Sequence, residues 1–103
     1  MRLTKKDITN ELNKINGFKV FTFNSYRALP HSCKDFIDHE LISDKYLIKI
    51  EVKLYKDVLS EGQKETGAIL EQLAKNRKGF EYIIITDKNY MEKIEYIHKL
   101  GRE

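Results

Sequence analysis

The stretch Y-L-I-K-I-E-V-K, residues 46–53, alternates apolar and polar residues and ends in a glutamate and a lysine. This alternation predicts a half-buried β-strand, because successive strand side chains point to opposite faces of a sheet. Glu51 and Lys53 therefore lie side by side on one face. A carboxylate that can hold a divalent cation, beside an ammonium that can orient a water, is half of a metal-dependent phosphodiester-cleaving site. An ordinary surface ion pair has the same composition, so the rest of the chain must supply the context.

Composition predicts one small globular domain spanning residues 1–103. The chain is 41% hydrophobic and 34% charged, which is enough for a single modest core. No apolar run has the ~18 residues of a membrane span, and the N-terminus lacks a signal-peptide core, so we expect a cytoplasmic protein with no membrane partner. Cys33 is the single cysteine, which excludes an internal disulfide and a multi-cysteine zinc site. The net charge of +3 favours a polyanionic partner.

The first half of the chain predicts a helix followed by three strands. Residues 4–15 form the helix, capped by Thr4 with Asp7 as the third helical residue and ended by Asn16-Gly17. Residues 18–24, with β-branched and aromatic alternation, predict a strand. Residues 25–34 contain the only proline and predict a surface loop. Residues 35–42 and the stretch at 46–53 then predict an antiparallel hairpin joined by a polar turn.

The second half predicts a helix, a strand and a final helix. Ser60 caps a helix that runs to Asn76 and carries an apolar stripe of Ile69, Leu70, Leu73 and Ala74. The uninterrupted apolar run in residues 80–86 predicts a central strand buried on both faces, parallel to the strand at 46–53. The last helix carries its own apolar stripe, formed by Met91, Ile94, Ile97 and Leu100. The order αβββαβα predicts an α/β fold with a mixed sheet and flanking helices.

This order, with D-F-I before a hairpin that ends in I-E-V-K, resembles the core of the PD-(D/E)XK nucleases, whose fold is restriction-endonuclease-like. The run Glu51-Val52-Lys53, with Gln63 on the next helix, is similar to the VRR-NUC domains of phages and DNA-repair nucleases. Archaeal Holliday junction resolvases share the same core. The resemblance covers nearly the whole chain, and it is compatible with a phage-encoded protein that acts in the host cytoplasm.

The resemblance implies a specific set of site residues. It makes Asp35 and Glu51 the carboxylate ligands of Mg2+ or Mn2+, with the backbone carbonyl of Val52 as a further ligand and Lys53 as the catalytic ammonium. Gln63 matches the helix-borne glutamine of the family. An acidic residue of the first helix completes the site, and two residues are candidates for it: Asp7, which we prefer, and Glu11. Arg27, Lys34, Lys45 and Lys49 flank the site and are candidates for DNA phosphate binding.

Physical reasoning about the hairpin leaves two aspartates open. A two-residue turn at Ser43-Asp44 would set Asp38 opposite Lys49, on the face of Glu51, while a three-residue turn would set Asp35 there instead. Burial of Ile37 and Leu41 favours the first turn, and the spacing implied by the resemblance favours Asp35. The histidines His31 and His39 match no helical zinc motif, so we interpret them as loop and strand residues.

The resulting functional expectation is a divalent-metal-dependent DNA endonuclease that acts on branched or junction DNA. The alternative is a nuclease-like fold that binds nucleic acid or protein without cutting. Because a domain of this size has little surface with which to contact a DNA duplex, we also expect a homodimer. Its candidate interface residues are Tyr90, Tyr96 and Ile97 of the last helix.

Overall fold

The computed structural model describes residues 2–23 and 38–103. Its elements follow the predicted order: α1 (Lys5–Asn13), β1 (Lys19–Thr22), β2 (His39–Ile42), β3 (Leu47–Lys53), α2 (Glu61–Asn76), β4 (Phe80–Thr86) and α3 (Tyr90–Gly101). The predicted α/β class, with one mixed sheet and flanking helices, is confirmed. No helix among the described residues is both long enough and apolar enough to cross a membrane.

The four described strands form one sheet in the order β1-β2-β3-β4. The hairpin of β2 and β3 is antiparallel, and β4 pairs in parallel with β3 across the α2 connection, as predicted. The prediction that β4 is central is wrong, because β4 lies at the edge of the described sheet. Its apolar run has another cause. Helix α2 packs on one of its faces, where Gly67 contacts Tyr82, and the core that contains α3 covers the other face.

The two faces of β3 differ as the alternation predicts. Ile48, Ile50 and Val52 are fully buried in a core that α1 and α3 complete with Ile8, Leu12, Ile94 and Ile97. The opposite face carries Lys49, Glu51 and Lys53, and α2 lies over the β4 side of that face. The core therefore fixes β3 from one side and leaves its charged side chains together on the other.

The register of the hairpin differs from both predicted alternatives. Glu40 pairs with Lys49, and the Ser43 N–H donates to the Tyr46 carbonyl at 2.9 Å. The turn therefore has two central residues, Asp44 and Lys45, one position later than the predicted Ser43-Asp44 turn. The Ser43 hydroxyl stabilises this arrangement, since it accepts from the N–H groups of Lys45 (3.2 Å) and Tyr46 (3.0 Å).

Two residues of the predicted helix stripes are exposed, and one predicted interface residue is buried. Ile69 and Met91 keep 64% and 71% of their surface exposed, so neither belongs to the core. Ile97 is completely buried, so it is unavailable as a dimer contact. Tyr96 is exposed and Tyr90 packs partly against the core. Each apolar stripe is thus narrower than the periodicity indicates.

Candidate functional site

Glu51 is the buried acid around which the candidate site is built. It lies near the carboxyl end of β3 and is only 2% exposed. Its Oε1 atom accepts a hydrogen bond from Gln63 Nε2 at 2.7 Å and lies 3.9 Å from Lys53 Nζ. The predicted association of Glu51, Lys53 and Gln63 is therefore present in the structure.

Burial and a neighbouring carboxylate shift the titration of Glu51. Its pKa is raised from 4.5 to about 7, mainly by removal from water and then by the negative charge of Asp38, against the opposing effects of Lys53 and Lys5. The ammonium of Lys53 is thus too weak a partner to offset the desolvation of this carboxylate. An additional positive charge near Glu51 would favour its ionised form.

Asp38 is the second acid of the site. It lies one residue before β2, and its Oδ2 atom accepts from the Val52 N–H at 2.8 Å. This bond joins Asp38 to β3 beside Glu51, although the turn that brings it there is not the one predicted. The role of the Val52 carbonyl as a metal ligand stays a prediction.

Gln63 connects the site to the beginning of α2. Its Oε1 atom accepts from the Ser60 N–H at 2.9 Å, while the Ser60 hydroxyl accepts from the Gln63 N–H at 3.1 Å, so the two residues form a capping box. Because Oε1 accepts in the box, the amide must present its Nε2 donor to Glu51. One side chain therefore caps the helix and orients the buried carboxylate.

Lys53 also contacts an acid that the sequence analysis missed. Its Nζ lies 3.8 Å from Asp57 Oδ2, and Lys5 Nζ approaches the same oxygen at 3.9 Å. Asp38, Glu51, Lys53, Asp57 and Gln63 are called the Glu51 cluster below, with Lys5 at its rim. The signal for Asp57 was its position four residues after Lys53, whereas nothing in the pattern of α1 distinguished Lys5 from its neighbours.

Tyr82 is a further neighbour that periodicity could not identify as part of a site. It pairs with Lys49 across β3 and β4, and its pKa is raised by burial and then by the negative charge of Glu51. A Cβ atom at the position of Gly67 in α2 would lie 2.9 Å from the Tyr82 hydroxyl, so a side chain there would force Tyr82 to shift. Tyr82 thus packs beneath α2 beside the Glu51 cluster.

Three of the other predicted site residues that the structure describes have local partners, whereas Lys45 does not flank the site, because it lies in the β2–β3 turn at the opposite end of β3 from Glu51. Asp7 accepts from the Thr4 N–H at 2.8 Å in the capping box of α1, and Glu11 lies 3.3 Å from Lys14. Lys49 pairs with Glu40 at 3.0 Å. The part of the chain that the structure describes contains no hydrogen bond or ion pair between Asp7 or Glu11 and the Glu51 cluster, so their roles as ligands stay predictions.

His39 has a structural position. It is buried on the core face of β2, and its Nδ1 atom lies 3.1 Å from the Thr22 hydroxyl. Burial lowers its pKa, in part against the effect of Asp38. His39 is thus the strand residue that we expected. Arg27, His31, Cys33, Lys34 and Asp35 lie outside the described residues.

Glu51 and Asp38 are the described side chains that could share a metal ion. Within residues 2–23 and 38–103, no group of three or more His, Cys, Asp or Glu side chains is arranged to hold one. Comparisons of the chain with protein-family models, with curated proteins and with solved structures found no match, so the chemistry of the Glu51 cluster is the guide to function.

Proposed function

We propose that the chain is a divalent-metal-dependent DNA endonuclease of the cytoplasm that hydrolyses phosphodiester bonds, with branched or junction DNA as its substrate. The observation that carries this proposal is the buried Glu51 carboxylate, held by Gln63 at 2.7 Å and flanked by Lys53 and Asp38. An ion pair between Lys53 and a buried acid whose charged form is disfavoured would contribute little to the stability of the fold. The preference for branched DNA derives from the family resemblance alone.

The donor set fits Mg2+ or Mn2+. Glu51 and Asp38 supply hard carboxylate oxygens, and their mutual repulsion contributes to the raised pKa of Glu51. A divalent cation between them would relieve that repulsion and favour the ionised form of Glu51. Asp35 and the Val52 carbonyl are the further ligands that the resemblance implies. When bound, the metal would polarise the scissile phosphate and lower the pKa of a water.

The residues of the cluster have separate tasks in this scheme. Gln63 holds the Glu51 carboxylate in one orientation, and Asp38 is fixed in place by the Val52 N–H. The Lys53 side chain is 13% exposed and therefore reaches solvent, and its ammonium lies 3.9 Å from Glu51 Oε1. Lys53 orients the attacking water or stabilises the negative charge that develops on the phosphate.

Cleavage assays on a linear duplex and a four-way junction, with Mn2+ or with chelator, test the proposal. We expect metal-dependent cutting, and a loss of at least ~100-fold in Glu51→Gln and Lys53→Ala, because each removes a group from the site of chemistry. Glu95→Gln and Lys93→Ala make the matching changes on α3 and should cut normally. Unchanged cutting by Glu51→Gln or Lys53→Ala would refute the assignment. DNA binding without cutting by the wild type would favour the non-cleaving binding module.

Metal binding can be measured without cleavage. Calorimetry with Mn2+ should give weaker binding for Asp38→Asn than for Asp57→Asn, because Asp38 acts on Glu51 more strongly than Asp57 does. Asp35→Asn, in the same experiment, compares the aspartate that the resemblance implies with the one that contacts β3. Wild-type binding should release protons near pH 6.5, since Glu51 must lose its proton to bind. The absence of both metal binding and proton release would contradict the proposed site.

The proposal includes a homodimer, because two sites related by a two-fold axis could cut two strands of one branched substrate. Among the candidate contacts, Tyr96 keeps 39% of its surface exposed, whereas Ile97 belongs to the core. Light scattering with and without a four-way junction measures the oligomeric state. A monomer under both conditions would favour nicking or flap cutting of a single strand.

A further inference from the structure

A basic surface lies at the end of the sheet opposite the Glu51 cluster. A cavity of about 450 Å³ opens between the β2–β3 turn and the α2–β4 turn, and we call it the turn pocket. Its walls are residues 43–47 and 77–80, with Glu40 and Ile42 from β2. The two turns meet through their backbones, because Leu47 N–H donates to the Gly79 carbonyl at 2.8 Å.

Gly79 makes this close approach possible. Its φ of +90° is favourable for glycine, and a Cβ atom at this position would lie 2.5 Å from the Lys45 carbonyl oxygen. The two turns are therefore held at a fixed separation by backbone geometry. The pocket is a built feature of the fold, which is what a binding site for a rigid ligand requires.

The charges of the turn pocket favour an anion. Lys45, Arg77 and Lys78 line it, and none of their side chains forms an ion pair with another residue of the described ranges. Two nearby acids are engaged: Glu40 pairs with Lys49 at 3.0 Å, and Glu103 accepts from the Tyr46 hydroxyl at 2.6 Å. Asp44 is the remaining acid of the pocket, and it opposes anion binding.

The floor of the turn pocket is apolar. Ile42 pairs with Leu47, which pairs with Phe80, so these three side chains share one face of the sheet. Ile42 is 40% exposed. Cations above an apolar and aromatic floor match a nucleic-acid strand, whose phosphates need positive charge and whose sugars and bases offer apolar surfaces.

The position of the pocket relates it to the Glu51 cluster. Leu47, Lys49, Glu51 and Lys53 share a face of β3, so the pocket and the cluster open toward the same side of the sheet. Glu51 lies four residues after Leu47 along the strand, which is a distance of roughly 13 Å. Helix α2 lies over the same face, and its rise separates Gln63, near its beginning, from Arg77, at its end, by roughly 21 Å. The two separations, roughly 13 and 21 Å, correspond to about four to six base-pair steps of B-DNA.

We infer that the turn pocket binds backbone phosphates of the DNA substrate, about four to six base pairs from the bond that is cut, through Lys45, Arg77 and Lys78. The inference rests on the proposed function, because it takes the ligand to be the DNA that the Glu51 cluster cleaves. The pocket holds the duplex in register, while the Glu51 cluster performs the hydrolysis.

Fluorescence anisotropy with a labelled DNA duplex, in chelator and between 50 and 200 mM KCl, tests the inference without cleavage. Each of Lys45→Ala, Arg77→Ala and Lys78→Ala should reduce the slope of log K against log salt by about 1, because one phosphate contact is lost. Lys93→Ala, on α3, is the matched control and should leave the slope unchanged. Asp44→Asn should tighten binding, an increase that damage to the fold would not produce.

The outcomes separate this inference from the proposed function. If the wild type binds and cuts DNA but all three alanine variants keep its salt slope and affinity, the turn pocket is not a DNA contact, and the Glu51 assignment is unaffected. If Lys45→Ala and Lys78→Ala weaken binding while the wild type does not cut, the pocket stands and the nuclease assignment fails. If the wild type does not bind DNA, both are wrong.

Discussion

Asp7 of α1 and Gln63 of α2 were both predicted as site residues, and each belongs to a capping box at the beginning of its helix. The surroundings of the two capping boxes differ. In α1, Thr4 and Asp7 exchange hydrogen bonds at the exposed end of the helix. In α2, Ser60 and Gln63 make the same exchange, but the free amide nitrogen of Gln63 continues to the buried Glu51 at 2.7 Å. An ionised carboxylate in the box is only an acceptor, whereas an amide accepts through its oxygen and still has an NH2 group that can donate.

This comparison shows how a residue type can reveal a second task. A capping box is satisfied equally well by glutamate or glutamine. The choice of glutamine in α2 is therefore explained by the acceptor beyond the box. Asp7 forms the reciprocal bond of its own box, and the described residues contain no further partner for it.

Among changes that compare the two capping boxes, Gln63→Glu is expected to have the largest effect on cleavage. Glutamate keeps the box and places a second negative charge against Glu51, so cleavage should fall by roughly 10- to 100-fold while the helix stays folded. Circular dichroism and cleavage rates measure the two effects separately.

Asp7→Glu is the matched change in the other box, since it also puts glutamate at the third helical position. We expect unchanged cleavage. A large loss of activity in Asp7→Glu would break the comparison, because it would show that Asp7 is the metal ligand that the family resemblance implies.

The next effect is the pH dependence of stability that arises from Glu51, the acid that Gln63 contacts. Glu51 has a folded-state pKa of about 7 against 4.5 for its ordinary value, so the folded chain binds more protons between these pH values. Its contribution to stability is therefore complete below pH 4.5 and is lost as pH rises through 7, on the order of 3 kcal/mol. Glu51→Gln should remove this slope. Urea unfolding in chelator at pH 5, 6, 7 and 8 measures it, and equal slopes in both proteins would contradict the buried-acid assignment.

A smaller effect comes from the capping hydroxyls. Thr4→Ala and Ser60→Ala should each lower the free energy of unfolding by about 1 kcal/mol. Ser60→Ala should also reduce cleavage, because Gln63 loses one of the bonds that fix it. Thr4→Ala should leave cleavage unchanged. Equal cleavage by the two variants would indicate that the box of α2 has no part in holding Glu51.

The smallest expected effect on stability is that of Lys5→Ala. Lys5 and Asp57 are 55% and 44% exposed and 3.9 Å apart, so their pair contributes less than about 0.5 kcal/mol. Cleavage should nevertheless fall by a few fold, since Lys5 is the positive charge that α1 brings to the rim of the Glu51 cluster. Lys14→Ala, which removes the exposed pair with Glu11, is the control and should affect neither quantity.

Periodicity predicted the elements of this fold well because it reports which faces are covered. The alternation in β3 placed Ile48 and Ile50 in the core and Glu51 on the other face, and the structure agrees. The same signal could not place β4 within the sheet. A strand covered on both faces has the same apolar run whether it lies at the centre or at the edge.

The site was predictable to the extent that its residues are close in sequence or follow a local motif. Glu51 and Lys53 are two residues apart on one strand, and Gln63 is fixed by the capping box. Asp38 was one of two alternatives, because a one-residue change in the hairpin register moves a side chain to the other face. Asp57 follows β3 and is joined to the site only by its side-chain contacts with Lys53 and Lys5. The Asp44-Lys45 turn is stabilised by two hydrogen bonds to the Ser43 hydroxyl. The hydrophobic pattern of the sequence cannot predict such bonds.

The shared core of α1 and α3 has a consequence for the order in which the protein can fold during synthesis. Ile8 and Leu12 of α1 are fully buried together with Ile94 and Ile97 of α3. At 5–20 residues per second, the ribosome needs roughly 4 to 16 s to proceed from Leu12 to Ile94. During that interval α3 has not yet been synthesised, so it cannot bury the apolar stripe of α1. The nascent chain therefore exposes this stripe to chaperones for seconds before the core can close.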